Sequence, residues 1–260
     1  MHNQPAHAPA TDGKPLHGAT DLQELVRRLE NALGTDLNAV VLYGSAAAAN
    51  LEVVGVHQER PEFNVLCLLA RLDGDELARM RPVALWWCRK GYPAPLVFTP
   101  DELRASADVF AIELLDIKRH HRVLWGDDFL PQLEVPMTLH RLQVERELRG
   151  SVIRLRQLFL QLRGRRDEIA ELMTASASTF GTLFRHSLIA LGETAPDSRR
   201  AAADRLAARL GLDVAAFHLV LDLQEGKRGK KDINPETAFA AYLNAVTQVA
   251  DAIDRTLAEK

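Results

Sequence analysis

The sequence predicts an α+β fold in which a small mixed-sheet domain precedes an all-α helical bundle. Three observations carry this. Short runs rich in Val and Leu at 39–43 and 63–70 are bounded by turn residues and read as buried strands. The stretch 131–136 starts and ends with proline and closes the strand-bearing half. Beyond it no strand pattern remains, and apolar residues recur every three or four positions over long segments.

Composition sets the outer limits. The chain has 260 residues, 47% hydrophobic and 26% charged, with a net charge of −3. That is the balance of an ordinary soluble globular protein, and it points neither toward nor away from a polyanionic partner. The two cysteines, Cys67 and Cys88, lie in a predicted strand and a predicted helix without the Cys/His spacing of a metal site, so both read as core thiols of a reducing compartment. No apolar run reaches the roughly 18 residues of a membrane span, and the N-terminus lacks a secretory pattern, so the expectation is a cytoplasmic protein that does not contact a membrane.

In chain order, residues 1–20 carry Pro, His, Ala and Gly without an apolar period and read as a disordered tail. Leu22, Leu25, Val26, Leu29 and Leu33 then mark a helix opened by Asp21 and ended by Gly34. The strand at 39–43 runs into Gly44-Ser45, and the second strand follows an intervening loop. Asp73-Gly74 turns the chain into a helix from Asp75 to about Lys90. Its Trp86-Trp87 pair reads as core plus rim, with stacking of a base as the functional alternative. Leu96-Val97-Phe98 is a short strand, and Thr99-Pro100-Asp101-Glu102 has the cap, the proline and the acids of a helix start. The apolar run at 109–117 reads as a buried strand with Glu113 inside it, either paired with Lys118, Arg119 or Arg122 or serving a site. His120-His121 makes a poor chelate, because neighbours point apart on a strand and lie 100° apart on a helix. The segment Leu124 to Asp128 reads as the turn that closes the domain, which spans 21–131.

Residues 137–260 form the predicted bundle. Helices are expected at 138–163, 167–191, 197–210, 214–225 and 235–257, with Gly192, Gly211 and Gly226 as stops and Asn234 capping the last.

The strand ending in Gly44-Ser45, followed by a second strand whose residues 62 and 64 point to one face, resembles the nucleotidyltransferase superfamily in its minimal, polymerase β-like form. The bundle after it resembles a HEPN-like bundle. The resemblance implies that Gly44 and Ser45 hold the phosphates of a nucleoside triphosphate. It also implies that a pair of carboxylates on the second strand, with a third from a neighbouring strand, holds Mg²⁺. Here the pair is Glu62 and Asn64, and Glu113 matches the third position, with Asp116 or no residue as the alternatives. That makes Glu62, Asn64 and Glu113 the implied catalytic set, and Glu62 and Glu113 the implied metal ligands. A neutral amide is a poorer Mg²⁺ ligand than a carboxylate, and Ala46-Ala47-Ala48-Ala49 offers a triphosphate no polar side chain. The implied function is therefore nucleoside-triphosphate binding with weak or no catalysis. The alternatives are an active Mg²⁺-dependent transferase acting on a small molecule, protein or RNA, and a scaffold or homodimerisation module. The Arg-(four to six)-His motif of HEPN ribonucleases is absent ahead of His140, His186 and His218.

Residues 141–166 hold eight arginines and two glutamates, a local excess of six positive charges. Arg141, Arg149, Arg156 and Arg163 fall on one side of the predicted helix. Such a stripe could take the phosphates of RNA, or pair with acids of the first domain or of a second subunit.

Overall fold

The computed structural model describes residues 19–48, 63–163 and 165–258. The fold mixes α and β, and the chain divides into two compact units, one ending at Val135 and the other beginning at Pro136.

The first unit opens with α1 (Ala19–Leu33), which buries Leu22, Leu25, Leu29 and Leu33 at helical spacing. A 3₁₀ turn leads into β1 (Leu37–Tyr43), then α2 (Ser45–Ala48), β2 (Asn64–Leu69), α3 (Gly74–Arg89), β3 (Leu96–Phe98), α4 (Pro100–Ala105), α5 (Ala111–Arg119) and β4 (His121–Gly126). The sheet order is β3-β2-β1-β4. The central β1 is antiparallel to both neighbours, and β2 is parallel to β3.

Both faces of this sheet are covered, which explains the unbroken Val/Leu character of β1 and β2. Val40, Leu42, Val65 and Cys67 pack with α1 and α3, where Met80, Val83 and Trp87 are buried. Ala39, Val41, Leu66 and Leu68 point the other way and pack with Leu103 of α4 and with Leu114 and Ile117 of α5. Trp87 is a core residue, with Nε1 donating to the Pro93 carbonyl at 3.0 Å and the ring stacked on Tyr92. Trp86 is half-buried beneath the Arg28 guanidinium, 4.4 Å from the ring centre. Asp73 caps α3 and Thr99 caps α4 in reciprocal capping boxes, with Pro100 in the first turn of α4.

The segment predicted as a buried strand around Glu113 is the helix α5. Ala111, Ile112, Leu114 and Ile117 are buried along one side, and Glu113 is exposed on the other. A helix packed on a sheet needs only one apolar stripe, and this run is short enough to fit either period. The flanking strand beside β1 is instead β4, in the segment the sequence presented as a closing turn. Its residues are half-buried or, at Gly126, exposed, which gives it no strong apolar signature.

The second unit is all helix among the described residues: α6 (Met137–Gln161), α7 (Arg166–Ala190), α8 (Arg199–Leu210), α9 (Ala215–Gln224) and α10 (Pro235–Ala258). Val144, Leu148, Val152 and Leu155 of α6 are buried, as are Met173, Phe180 and Phe184 of α7, Phe217 of α9 and Tyr242 and Val246 of α10. Phe159 stacks on Phe239 with centroids 4.0 Å apart. Burial raises the Tyr242 phenol above its ordinary range, and its hydroxyl lies 2.9 Å from Ser176 Oγ. Gly211 ends α8 in the left-handed region at φ 66°, and Asn234 Oδ1 accepts from the Glu236 and Thr237 amides to cap α10. No helix among the described residues is long and apolar enough to cross a membrane.

Candidate functional site

The site grows from the C-terminal end of β1. Tyr43 is the cross-strand partner of Asn64 on one side and of His121 on the other. Directly opposed residues share a face, so Asn64, Tyr43 and His121 form a polar row across three strands. The row lies on the face that carries Val41 and Leu66. Burial raises the Tyr43 phenol above its ordinary range.

Beyond Tyr43 the backbone turns at Gly44, with φ +80°. The Gly44 N–H donates to the His120 carbonyl at 3.0 Å, and the Gly44 carbonyl accepts from the Ala47 and Ala48 amides at 3.0 Å each. The turn thus ties the end of β1 to the start of β4 and opens the four-residue helix α2. Gly44 contributes conformation rather than a free N–H. Ser45 follows it and is exposed. Among the described residues neither the Ser45 hydroxyl nor the Asn64 amide makes a hydrogen bond. The Asn64 Nδ2 faces the turn, 3.5 Å from where a Cβ on Gly44 would stand.

His121 closes the other end of the row. Its Nδ1 is 3.0 Å from the Lys118 carbonyl, and its Nε2 is 3.1 Å from Asp128 Oδ2. Asp128 also accepts from the Leu130 amide at 3.1 Å, so the carboxylate is fixed by the chain after β4. The two adjacent histidines therefore do different work: His120 acts through its carbonyl on the Gly44 turn, and the ring of His121 is clamped. The sequence had offered His120-His121 only as a poor chelate and Asp128 as a turn residue; their joint placement depends on strand pairing between distant segments.

Of the implied catalytic and metal set, the described residues Asn64 and Glu113 stand on different elements, β2 and α5. Glu62 and Ala49 lie outside the described residues. Glu113 sits exposed in the first turn of α5, off the sheet, so it does not complete a carboxylate row with residue 64. Asp116 is half-buried on the same helix and accepts the His120 amide through its backbone carbonyl. No group of three or more His, Cys, Asp or Glu side chains among the described residues could hold a metal ion. At the position facing the turn stands the neutral side-chain amide of Asn64. Among the described residues, Asn64 and Glu113 do not by themselves make a site for Mg²⁺, which takes several hard oxygen acceptors.

Two arginines of the stripe, Arg141 and Arg149, are engaged within their own bundle, while Arg156 and Arg163 are exposed. Arg149 binds Asp251 at 2.6 Å and also Asp254, and these two hydrogen bonds raise its guanidinium above its ordinary range. Arg141 Nε donates to the Ala190 carbonyl at 3.0 Å, and Arg156 approaches Thr247 Oγ1 at 3.4 Å. For Arg163 the backbone N–H donates to Glu168 at 3.0 Å. The acids that Arg149 meets come from α10 of the same bundle. Neither a protein-family model nor a curated protein matches the chain.

Proposed function

We propose that the protein binds a nucleoside triphosphate on a nucleotidyltransferase-like first unit whose metal site has decayed, so that it is weakly catalytic or not catalytic. One observation carries this reading: the Gly44-Ser45 turn ends the central strand directly beside Asn64 at the start of β2. That juxtaposition leaves a serine hydroxyl and a side-chain amide at one sheet end, beside a residue without a Cβ. Isothermal titration with ATP, GTP, CTP and UTP, each with and without Mg²⁺, tests it, with Ser45→Trp as the blocking control. Binding lost in Ser45→Trp is the expected result; absence of binding for all four overturns the reading. Transfer of a nucleoside monophosphate to an acceptor would replace it with the active-enzyme alternative.

A second reading, a scaffold that self-associates as a homodimer, is favoured by the outer face of α6. Leu142, Ile153 and Leu160 are 63%, 53% and 82% exposed there, on the side opposite Val144, Leu148 and Leu155. Sedimentation equilibrium of the wild type against Ile153→Ser/Leu160→Ser decides it. A dimer that the double variant dissociates supports self-association, and a wild-type monomer at high micromolar concentration removes it. RNA binding through Arg141, Arg149, Arg156 and Arg163 has less support, because Arg149 is occupied by two aspartates and Arg141 by a backbone carbonyl.

A further inference from the structure

We infer that His140 and His186 form an acid-sensitive latch, which holds the start of α6 to the end of α7 and lets go in mildly acidic solution. Both side chains are fully buried, and His140 Nε2 lies 3.0 Å from His186 Nδ1. At that distance one ring nitrogen donates and the other accepts, so a single proton occupies the contact. Each outer ring nitrogen holds at most one more, so the closed pair carries no more than one positive charge. Once the contact opens, each histidine takes up its own proton near pH 6.5, and the two together reach two charges. The closed contact therefore excludes a proton that the open form accepts, whatever else the two rings touch.

The position of the pair makes this exclusion act on the fold. His140 stands in the first turn of α6, its amide donating to the Pro136 carbonyl at 3.0 Å, and His186 stands one turn before the end of α7. The helix dipoles favour a positive charge at the end of α7 and oppose one at the start of α6, so the excluded proton is the one His140 would take. Val144 of α6 and Leu183 and Leu188 of α7 are buried in the following or flanking turns, and apolar residues at 140 and 186 would suit them without a polar contact to satisfy. The charged groups at this helix junction are Arg141, whose Nε donates to the Ala190 carbonyl at 3.0 Å, and Arg185, half-buried beside His186. After α7, Asp197 is exposed ahead of α8, and Glu193 is held by Arg205 and Arg209 of α8 at 3.5 and 3.3 Å. On α9, Asp222 and Glu225 bind Arg200; on α10, Asp251 and Asp254 bind Arg149. The remaining bundle histidine, His218, lies 2.6 Å from Asp204. All of these groups are retained in the variant below, so their own titration cancels in the comparison.

The test is hydrogen exchange of the full chain read by mass spectrometry, following the opening of α6 and α7 from about pH 6.5 to about 4.5 with the intrinsic exchange rate divided out. The wild type is compared with His140→Gln/His186→Gln, whose amides keep a side-chain hydrogen bond and do not titrate. Because the open form binds the extra proton, the contribution of the contact is whole above about pH 6.5 and is lost as pH falls. Relative to the double variant, wild-type opening is expected to rise at least about threefold over the first pH unit and about tenfold over the next, the slope of one excluded proton. A ratio that stays constant over this range overturns the inference. Should circular dichroism show the double variant unfolded, long-range ¹H–¹⁵N spectra of the wild-type histidines decide instead. No more than one of the two rings is expected as an imidazolium while the native spectrum persists, and both rings doubly protonated in the folded protein overturns the latch.

Discussion

Gly44 and Gly126 end the paired strands β1 and β4 with almost the same backbone, φ +80° and +78°, yet they stand in different surroundings. Among the described residues, a methyl group at Gly44 would meet the Asn64 side-chain amide at 3.5 Å, ordinary van der Waals contact. At Gly126 it would stand 2.1 Å from the Asn38 carbonyl oxygen and 3.0 Å from Ala39 Cα, which are main-chain atoms of β1. The left-handed backbone costs an L-residue about 1–2 kcal/mol at either site. Gly44→Ala should cost little more than that. Gly126→Ala can be accommodated only if β4 moves off β1, opening the Ala39–Gly126 end of the ladder and the Asp127 N–H bond to Asn38. With about 1 kcal/mol for each hydrogen bond lost, the total is about 3–4 kcal/mol. All three tryptophans, Trp86, Trp87 and Trp125, lie in the first unit, so tryptophan fluorescence in a urea titration follows that unit alone. For a slope of about 2 kcal/mol per M, the midpoint should fall by about 0.5–1 M for Gly44→Ala and about 1.5–2 M for Gly126→Ala. Equal midpoints for the two variants would refute the claim that the main-chain contact, rather than the sign of φ, sets the cost at Gly126.

Other outcomes follow from the same packing. Glu76 is fully buried and binds Arg71 at 2.8 Å and Arg79 at 2.9 Å, so Glu76→Gln should destabilise the first unit by about 1–3 kcal/mol, read from the same titration; an unchanged midpoint would show the cluster to be dispensable. Burial pushes the Cys67 thiol up to about 12, whereas Cys88 is exposed, so a thiol reagent should label one cysteine quickly in the native protein and the second only on unfolding; rapid labelling of both would contradict the packing of β2. The hydrogen bond from Lys90 at 2.7 Å, then that from Tyr92 at 3.1 Å, holds the Asp21 carboxyl below the usual carboxylate range. The contribution of that depressed group is present above the unfolded value of about 3.9 and fades as pH falls through the folded one. Asp21→Asn should therefore lower the thermal midpoint at pH 7 and converge with the wild type in strong acid, and a constant offset across the whole pH range would refute the assignment.

The fold was legible wherever one local signal sufficed. Strand β3 and the capped start of α4 could be read from a three-residue apolar run and from Thr99-Pro100, because caps and turn residues act over three or four positions. The bundle helices were legible for a related reason: each hides a single stripe, and Gly211 and Asn234 mark ends with their own backbone chemistry. The exchange between 109–117 and β4 failed for a physical cause. Helix α5 presents buried Ala111, Ile112, Leu114 and Ile117 in a run too short for its period to be decided, while β4 is at most half-buried and reads as polar. Only the pairing of Val41 with Val123 and of Tyr43 with His121 identifies β4 as a strand, and pairing partners are not written in either segment alone.

The same limit shaped what could be read of the site. The Gly44-Ser45 turn is a local feature, and the positive φ at Gly44 is the reason a glycine stands there. The row from Asn64 through Tyr43 to His121 is a product of register, since each member comes from a different strand. Register also decides the meaning of Asn64. As a member of a spaced acidic pair it reads as a carboxylate lost from a metal site, a deficit. Placed opposite Tyr43, it stands beside the Gly44 turn, next to the exposed Ser45. If the site is a decayed catalytic centre, Asn64→Asp should increase Mg²⁺-dependent nucleotide affinity in a titration, because it restores a carboxylate ligand; unchanged affinity would refute that placement.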